Sequence, residues 1–209
     1  MIIAIDGPAA SGKGTLARKL ADHYSLAYLD TGSLYRAVAL KVLLNGAEAA
    51  DAEAAIRAAS ELDASFLGDP RLRSGEVGEA ASVVAANPGV REEILGFQRR
   101  FANAPEGAVL DGRDIGTIVC PDADVKIFVI ADAEVRARRR FEELKSRGEN
   151  VTYDTVLADL RARDARDQNR TIAPLTRADD ALLLDTSELD IETAFNEAIS
   201  MIDGQLSAK

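Results

Sequence analysis

The chain opens on a short apolar run, Ile2-Ile3-Ala4-Ile5-Asp6, and passes at once into Gly7-Pro8-Ala9-Ala10-Ser11-Gly12-Lys13-Gly14-Thr15 and an apolar-periodic segment that reads as a helix. Strand, glycine-rich loop and helix in that order form a phosphate-binding loop. The glycines let the backbone curl until successive N–H groups point into one concavity, the helix adds its positive N-terminal end, and Lys13 reaches the outer phosphates of a nucleotide. Residues 7 to 15 are therefore candidate ATP-binding residues. In the commonest form of this loop a Ser or Thr follows the lysine and touches Mg²⁺. Here Gly14 stands there and Thr15 comes one place later. Direct magnesium ligation by the loop is not expected, and Thr15 is free to donate to an inner phosphate.

The rest of the chain alternates in the same manner. Strands are expected at 2–6, 27–29, 108–110, 125–130 and 182–184, with helices between and after them. That alternation argues for a parallel sheet covered on both faces, an α/β fold. Asp132 and Asp190 are expected to cap helices. The alanine-rich stretch 47–64 reads as a helix, and 65–78, broken by Gly68, Pro70 and Gly75, as a loop or small excursion. At 209 residues the chain can bury a sizeable core without staples. Cys120 is the only cysteine, which excludes an internal disulfide and fits a reducing compartment. No stretch reads as a signal peptide or membrane span, so the expected location is the cytoplasm. No domain linker is evident, and the expected organisation is one domain over 1–209.

The net charge is −10, which argues against nucleic acid or an anionic membrane as partner. The cations are nevertheless skewed. Arginines number 19 against 6 lysines, and nine arginines fall between Arg136 and Arg170. Guanidinium forks suit bidentate phosphate binding, so an acidic chain with one arginine concentration points to a small polyanionic substrate.

Three clusters carry the chemistry. Asp30-Thr31-Gly32-Ser33-Leu34-Tyr35-Arg36 follows the second strand, at the end of a parallel sheet where ligands collect. Taken alone, Tyr35 and Arg36 read more simply as a core ring and a solvated charge. Asp111-Gly112-Arg113-Asp114-Ile115-Gly116-Thr117 ends an apolar strand beside the loop, where the metal-organising carboxylate of such enzymes lies. Asp111 is thus a candidate for Mg²⁺, through water. In the helix expected over 152–169, Val156, Leu160, Arg163, Asp167 and Arg170 share a sector about 80° wide at ~100° per residue, with Arg166 beside it. Charges that prolong an apolar stripe turn inward and need an anionic ligand. The alternative is a solvated Arg163–Asp167 helix pair. Ser82 and Arg91 are weak signals by themselves, single polar residues of helices. The lone His23 reads as an exposed helix residue without a catalytic part.

Together these segments resemble the bacterial cytidylate kinase family of nucleoside monophosphate kinases. The resemblance runs through Ile5-Asp6-Gly7-Pro8, Lys13-Gly14-Thr15, Asp30-Thr31-Gly32 with Tyr35-Arg36, Asp111 to Thr117, Arg163 to Arg170, Pro174-Leu175, Asp180-Ala181 and Leu184-Asp185-Thr186. It implies a three-layer P-loop kinase fold with a five-stranded parallel sheet, a monophosphate-binding region at about 31–105 and a helical lid at about 146–170. It implies transfer of the γ-phosphoryl of ATP to CMP or dCMP with Mg²⁺. It places Thr31, Tyr35, Arg36, Ser82, Arg91, Arg113, Asp114, Arg163, Asp167 and Arg170 at the monophosphate. Within that set Ser82, Arg91 and Asp114 read the cytosine edge, Arg163 and Asp167 meet the ribose, and Arg36, Arg113 and Arg170 hold the acceptor phosphate. Lys13, Arg113, Arg166 and Arg170 are the candidate catalytic residues, with Arg166 a lid arginine at the transferred group. The stretch between Leu62 and Val77 is shorter than in many members. A monomer is expected. Two other readings stay open on the residues alone, a P-loop kinase for another small acceptor and a non-catalytic nucleotide switch.

Overall fold

The computed structural model describes residues 1–207, the side chains of Ala64 and Ser65 excepted; the last two residues of the expected domain lie outside the described residues. Five parallel strands, β1 (Ile2–Asp6), β2 (Ala27–Asp30), β3 (Ala108–Gly112), β4 (Val125–Ile130) and β5 (Leu182–Asp185), form one sheet in the order β2-β3-β1-β4-β5. Three strands run further than the sequence pattern suggests, ending on Asp30, Gly112 and Asp185. Those polar ends lie at the carboxyl edge, where ladder hydrogen bonds continue past the apolar run.

The period of two along each strand divides the core. Ile3, Ile5, Val109, Ile127, Val129 and Leu184 pack on one face with α1 (Lys13–Tyr24) and α8 (Ile191–Ser207). Ala4, Ala108 and Leu110 point to the other face, against α2 (Thr31–Leu44), α3 (Ala52–Ser60), α4 (Gly75–Val84) and α5 (Pro88–Ala102). A fully buried Ile or Leu in either layer contributes roughly 1.5–3 kcal/mol. The pair α6 (Ala133–Ser146) and α7 (Tyr153–Asn169) has a small core of its own, Ala137, Leu144, Val156 and Leu160, with Ala9 and Ala10 of the phosphate loop packed against it. None of the helices among the described residues is long and apolar enough to cross a membrane.

Two expectations are corrected. The helix expected over 47–64 is confined to α3, because Asp51 caps it, its carboxylate accepting from the Ala54 N–H at 3.0 Å. The loop expected over 65–78 instead holds two single-turn 3₁₀ segments, Ala64–Gly68 and Pro70–Arg73, and then the start of α4, where the Ser74 hydroxyl accepts from Val77 N–H at 3.3 Å. Asp190 caps α8 through Thr193 N–H at 2.7 Å. Asp132 stands at the cap position of α6 without a side-chain bond, while its own N–H donates to Ser187. His23 is exposed, its ring edge-on to Tyr24 and Phe195.

Candidate active site

The connections leaving β1 and β3 run to opposite sides of the sheet, which opens a crevice at their carboxyl ends. The phosphate loop fills it. Gly7 has φ +156°, and a Cβ there would stand 2.2 Å from the Val129 carbonyl oxygen, so only glycine lets the loop leave β1 beside β4. Ala10 (φ 58°) and Gly12 (φ 87°) take the left-handed conformation that closes the loop. The turn is braced from just beyond β5, where the Thr186 hydroxyl donates to the Ser11 carbonyl at 2.9 Å. Ser11 Oγ is buried without a hydrogen-bond partner.

Two cavities flank the loop. The inner one, of about 360 Å³, is walled by Ala9, Ala10, Lys13 and Gly14 on one side and by residues of α2, α4, β3, α6 and α7 on the other. Ten basic side chains line it against five carboxylates, a local excess of cations in a chain of net charge −10. The outer cavity, of about 270 Å³, lies beyond Ser11, Gly12 and Thr15 and is largely apolar, with Leu16, Leu189, Ile191 and Ala194 in its wall and Arg139 at its side. The loop thus separates a cation-lined chamber from a largely apolar slot.

Lys13 is the first residue of α1 and is buried, its Nζ 3.3 Å from the Pro8 carbonyl. Burial first, and then Arg113, push its amine down to about 7. Opposite it Asp111, the last residue but one of β3, accepts at Oδ1 from the Tyr28 hydroxyl at 2.9 Å and presents Oδ2 towards Gly14. Burial and the neighbouring Asp30 push the Asp111 carboxyl up to about 6. Thr31 lines the cavity with its hydroxyl already given to the Asp111 carbonyl at 2.8 Å, so it holds β2 against β3.

At the far end, Arg91 and Asp114 form a short ion pair, both buried. Arg170 approaches the other Asp114 oxygen at 3.5 Å, and the Arg91 guanidinium lies 5.5 Å from the centroid of the Tyr35 ring. Desolvation holds the Asp114 carboxyl above its ordinary value against the pull of Arg91, Arg170 and Arg113. Ser82 of α4 lines the same end and is buried. Tyr35 is both a core ring and a wall of the cavity, while Arg36 is half-buried and 3.9 Å from Asp30.

The inward sector of α7 is found as its spacing predicts, with Leu160, Arg163, Asp167 and Arg170 in the cavity wall. Asp167 accepts from Arg113 Nε at 2.8 Å, and Arg163 sits 4.0 Å from it. Arg163 Nε is buried with no hydrogen-bond partner, and burial beside Arg113 pushes the guanidinium down to about 10. A buried N–H that lacks an acceptor is costly until an anion or hydroxyl supplies one. Arg166 is the exception. It is absent from the wall and is bonded to Glu79 at 2.5 Å and to Ser82 Oγ at 3.3 Å, on α4.

Sequence reasoning missed several wall residues. Arg73, Arg140, Glu143 and Arg147 meet at the cavity mouth, where Arg147 also donates to the Arg73 carbonyl at 3.0 Å. The triple arginine run 138–140 is the only sequence signal for them, and it does not say which member faces inward. Arg136 is buried and joins three elements, donating to the Ala9 carbonyl at 3.2 Å, to Ala131 at 2.8 Å and to Asp164 at 2.7 Å.

A family model described as cytidylate kinase matches residues 3–204. The chain belongs to the cytidylate kinase family. Among its relatives, the cytidylate kinase of Rhodopseudomonas palustris is 59% identical over 203 residues, covering 97% of this chain and 96% of its own length. That of Xanthobacter autotrophicus is 58% identical over 209 residues, covering both chains completely. In fold it is similar to the crystal structure of an uncharacterized protein from Eubacterium ventriosum, with a TM-score of 0.58 at 18% identity over 98% of each chain.

Membership of the cytidylate kinase family makes the donor set for a divalent ion pertinent. Among the described residues no three His, Cys, Asp or Glu side chains gather as a metal cage. Asp111 and Asp30 lie in the inner cavity by the loop, next to a Gly14 that offers no hydroxyl. Such a set fits an ion held mainly by phosphates and water, with one carboxylate beyond, as is usual for Mg²⁺.

Proposed function

We propose that the chain transfers the γ-phosphoryl group of ATP to CMP or dCMP, giving CDP or dCDP and ADP. The observation that carries this is the buried Arg91–Asp114 pair at the end of the arginine-lined cavity. Cytosine presents one exocyclic amine beside a ring nitrogen and a carbonyl, and a fixed carboxylate beside a fixed guanidinium is its complement. Ser82 lies within the same wall.

In this reading the two cavities take the two substrates from opposite sides of the loop. The apolar outer slot takes the adenine and the inner chamber the monophosphate. Arg36, Arg113 and Arg170 hold the acceptor phosphate, and Arg163 with Asp167 meets the ribose, which gives Arg163 Nε the acceptor it lacks. Lys13 and the N–H groups of residues 7 to 15 hold the donor phosphates and stabilise charge on the transferring group. The acceptor oxygen is already ionised, so no general base is required, and positioning with charge cancellation does the work. Mg²⁺ would be held by Asp111 through water and would neutralise charge on the donor phosphates. Residues 146–170 act as a lid that excludes water, which would otherwise hydrolyse ATP.

The test is a coupled assay of ADP release with Mg-ATP against CMP, dCMP, UMP, AMP and GMP. CMP and dCMP should turn over fastest. Equal rates with and without CMP would overturn the assignment.

A further inference from the structure

Asp114 occupies the cap position of a single wide turn, Ile115–Val119, in which Val119 N–H bonds to the Asp114 carbonyl and Cys120 N–H to that of Ile115, at 3.1 and 2.7 Å. Aspartate at such a position ordinarily turns its carboxylate back onto the first N–H groups of its own turn. Asp114 makes no such bond; both its oxygens face the arginines of the cavity. Of the N–H groups such a cap would reach, that of Gly116 is taken by another strand together with its neighbour, that of Ile115. Asp6 Oδ1 accepts from Ile115 N–H and Asp6 Oδ2 from Gly116 N–H, each at 2.8 Å.

The sheet places this contact. Asp6 is the last residue of β1 and pairs in register with Gly112 of β3, two residues before Asp114. Its carboxylate is buried, and the approach is close enough that a Cβ on Gly116 would lie 3.4 Å from Oδ2 and 3.1 Å from Lys126 Cδ. Burial pushes the Asp6 carboxyl upward while the two N–H groups pull the other way, so the bonds offset part of the desolvation. We propose that Asp6 is a positioning residue for base recognition, capping the turn Ile115–Val119 from β1 so that the Asp114 carboxylate is left facing the nucleobase. The same residue is joined directly to Gly7, so the geometry of the base-reading turn and the start of the phosphate loop share one anchor. The inference rests on the reading of Asp114 as the group that meets the cytosine amine.

Without Asp6 the two buried N–H groups have one carboxylate within the same turn to draw on, that of Asp114. Pulled onto them it leaves Arg91, and preference for cytosine over uracil is lost. The measurement is kcat/KM for CMP and for UMP, with equilibrium binding of each, in the wild type and in Asp6→Ala, Asp6→Asn, Asp114→Ala and the double variant Asp6→Ala/Asp114→Ala. Asp6→Ala should lower the CMP-to-UMP ratio by about tenfold or more, since a site that loses a polar match discriminates poorly. Asp6→Asn, which keeps the shape but turns one acceptor into a donor, should lower it by about threefold or more. The double variant should discriminate no less than Asp114→Ala alone, because the two act through one contact. A role in stability only would lower the melting temperature and both rates together while leaving the ratio unchanged in Asp6→Ala and Asp6→Asn, and that result overturns the inference. Should Asp6→Ala fail to fold, the ratio in Asp6→Asn decides. A ratio unchanged in Asp114→Ala would overturn the reading of Asp114 itself, a failure distinguishable from one confined to the Asp6 variants.

Discussion

Arg166 reaches from α7 across to α4, where its Nη2 lies 2.5 Å from Glu79 Oε1 and its Nε 3.3 Å from the Ser82 hydroxyl. The contact ties the helix expected to close over the phosphates to the wall of the monophosphate chamber. Both partners are substantially exposed, 39% and 53%, and exposed pairs of this kind contribute about 0–1 kcal/mol. Releasing Arg166 for work at the transferring group therefore costs a few-fold in rate at most.

If Arg166 leaves Glu79 during turnover, Arg166→Ala should lower kcat by roughly 10²-fold, the scale on which electrostatic stabilisers act. Glu79→Gln should change it by less than about fivefold. Arg161 pairs with Glu134 at 2.7 Å on an exposed side of the same helix, and Arg161→Ala should leave kcat near that of the wild type. Steady-state kinetics on the three variants separate the roles. Similar small effects at all of them would assign Arg166 to the surface.

Lys13→Met should lower kcat by more than ~10²-fold, because the amine meets charge that develops in transfer. Its stability should not fall. The ammonium is buried, its hydrogen bond to Pro8 is long at 3.3 Å, and burial with repulsion by Arg113 outweighs the attraction of Asp111 and Asp30. Replacing a charge that its surroundings on balance disfavour by an apolar side chain of like length is neutral or stabilising. Thermal unfolding of the variant checks this, with a melting temperature at or above that of the wild type expected.

The sheet was legible in the sequence because each strand is a near-continuous apolar run and each but β3, which leads through the single turn Ile115–Val119 to β4, is followed by a helix. The segment 62–77 was not, since Gly68, Pro70 and Gly75 break the period that reveals helices, while the deciding signal was the cap Ser74. On α7 a periodic apolar stripe continued by Arg163, Asp167 and Arg170 predicted the inward face correctly. Arg166, one step off that stripe, could go either way, and its partner Glu79 stands 87 residues distant. The contacts of Asp6, Tyr28 and Arg136 are tertiary as well, and nothing local to those residues announces them.

Gly7→Ala tests the steric reason for the first glycine of the loop. A Cβ would meet the Val129 carbonyl at 2.2 Å, and that oxygen belongs to the central sheet and cannot yield. Overpacking of this kind costs about 1–3 kcal/mol. At roughly 2–4 °C per kcal/mol for a chain of this size the melting temperature should fall by several degrees. ATP binding should weaken with it. Gly46→Ala, where nothing lies within 4 Å, carries only the backbone penalty of its φ of +72° and should leave ATP affinity unchanged.

The depressed Lys13 amine predicts a proton linkage. In the free protein burial and Arg113 bring it down to about 7 from an ordinary 10.5. Donor phosphates restore an anionic partner, so the bound state holds the proton that the free state gives up. Between about pH 7 and 10.5, ATP binding should take up as much as one proton, and affinity should fall as pH rises through that window, by up to tenfold per unit. The unfolded chain likewise binds more protons there, so the Lys13 contribution to folding stability rises over the same range. Asp111, pushed up to about 6, titrates below this window. Calorimetry of ATP binding at pH 8 to 9 in two buffers of different ionisation enthalpy measures the uptake. Lys13→Met should lose it while retaining weak binding, and equal uptake in both proteins would assign the proton to another group.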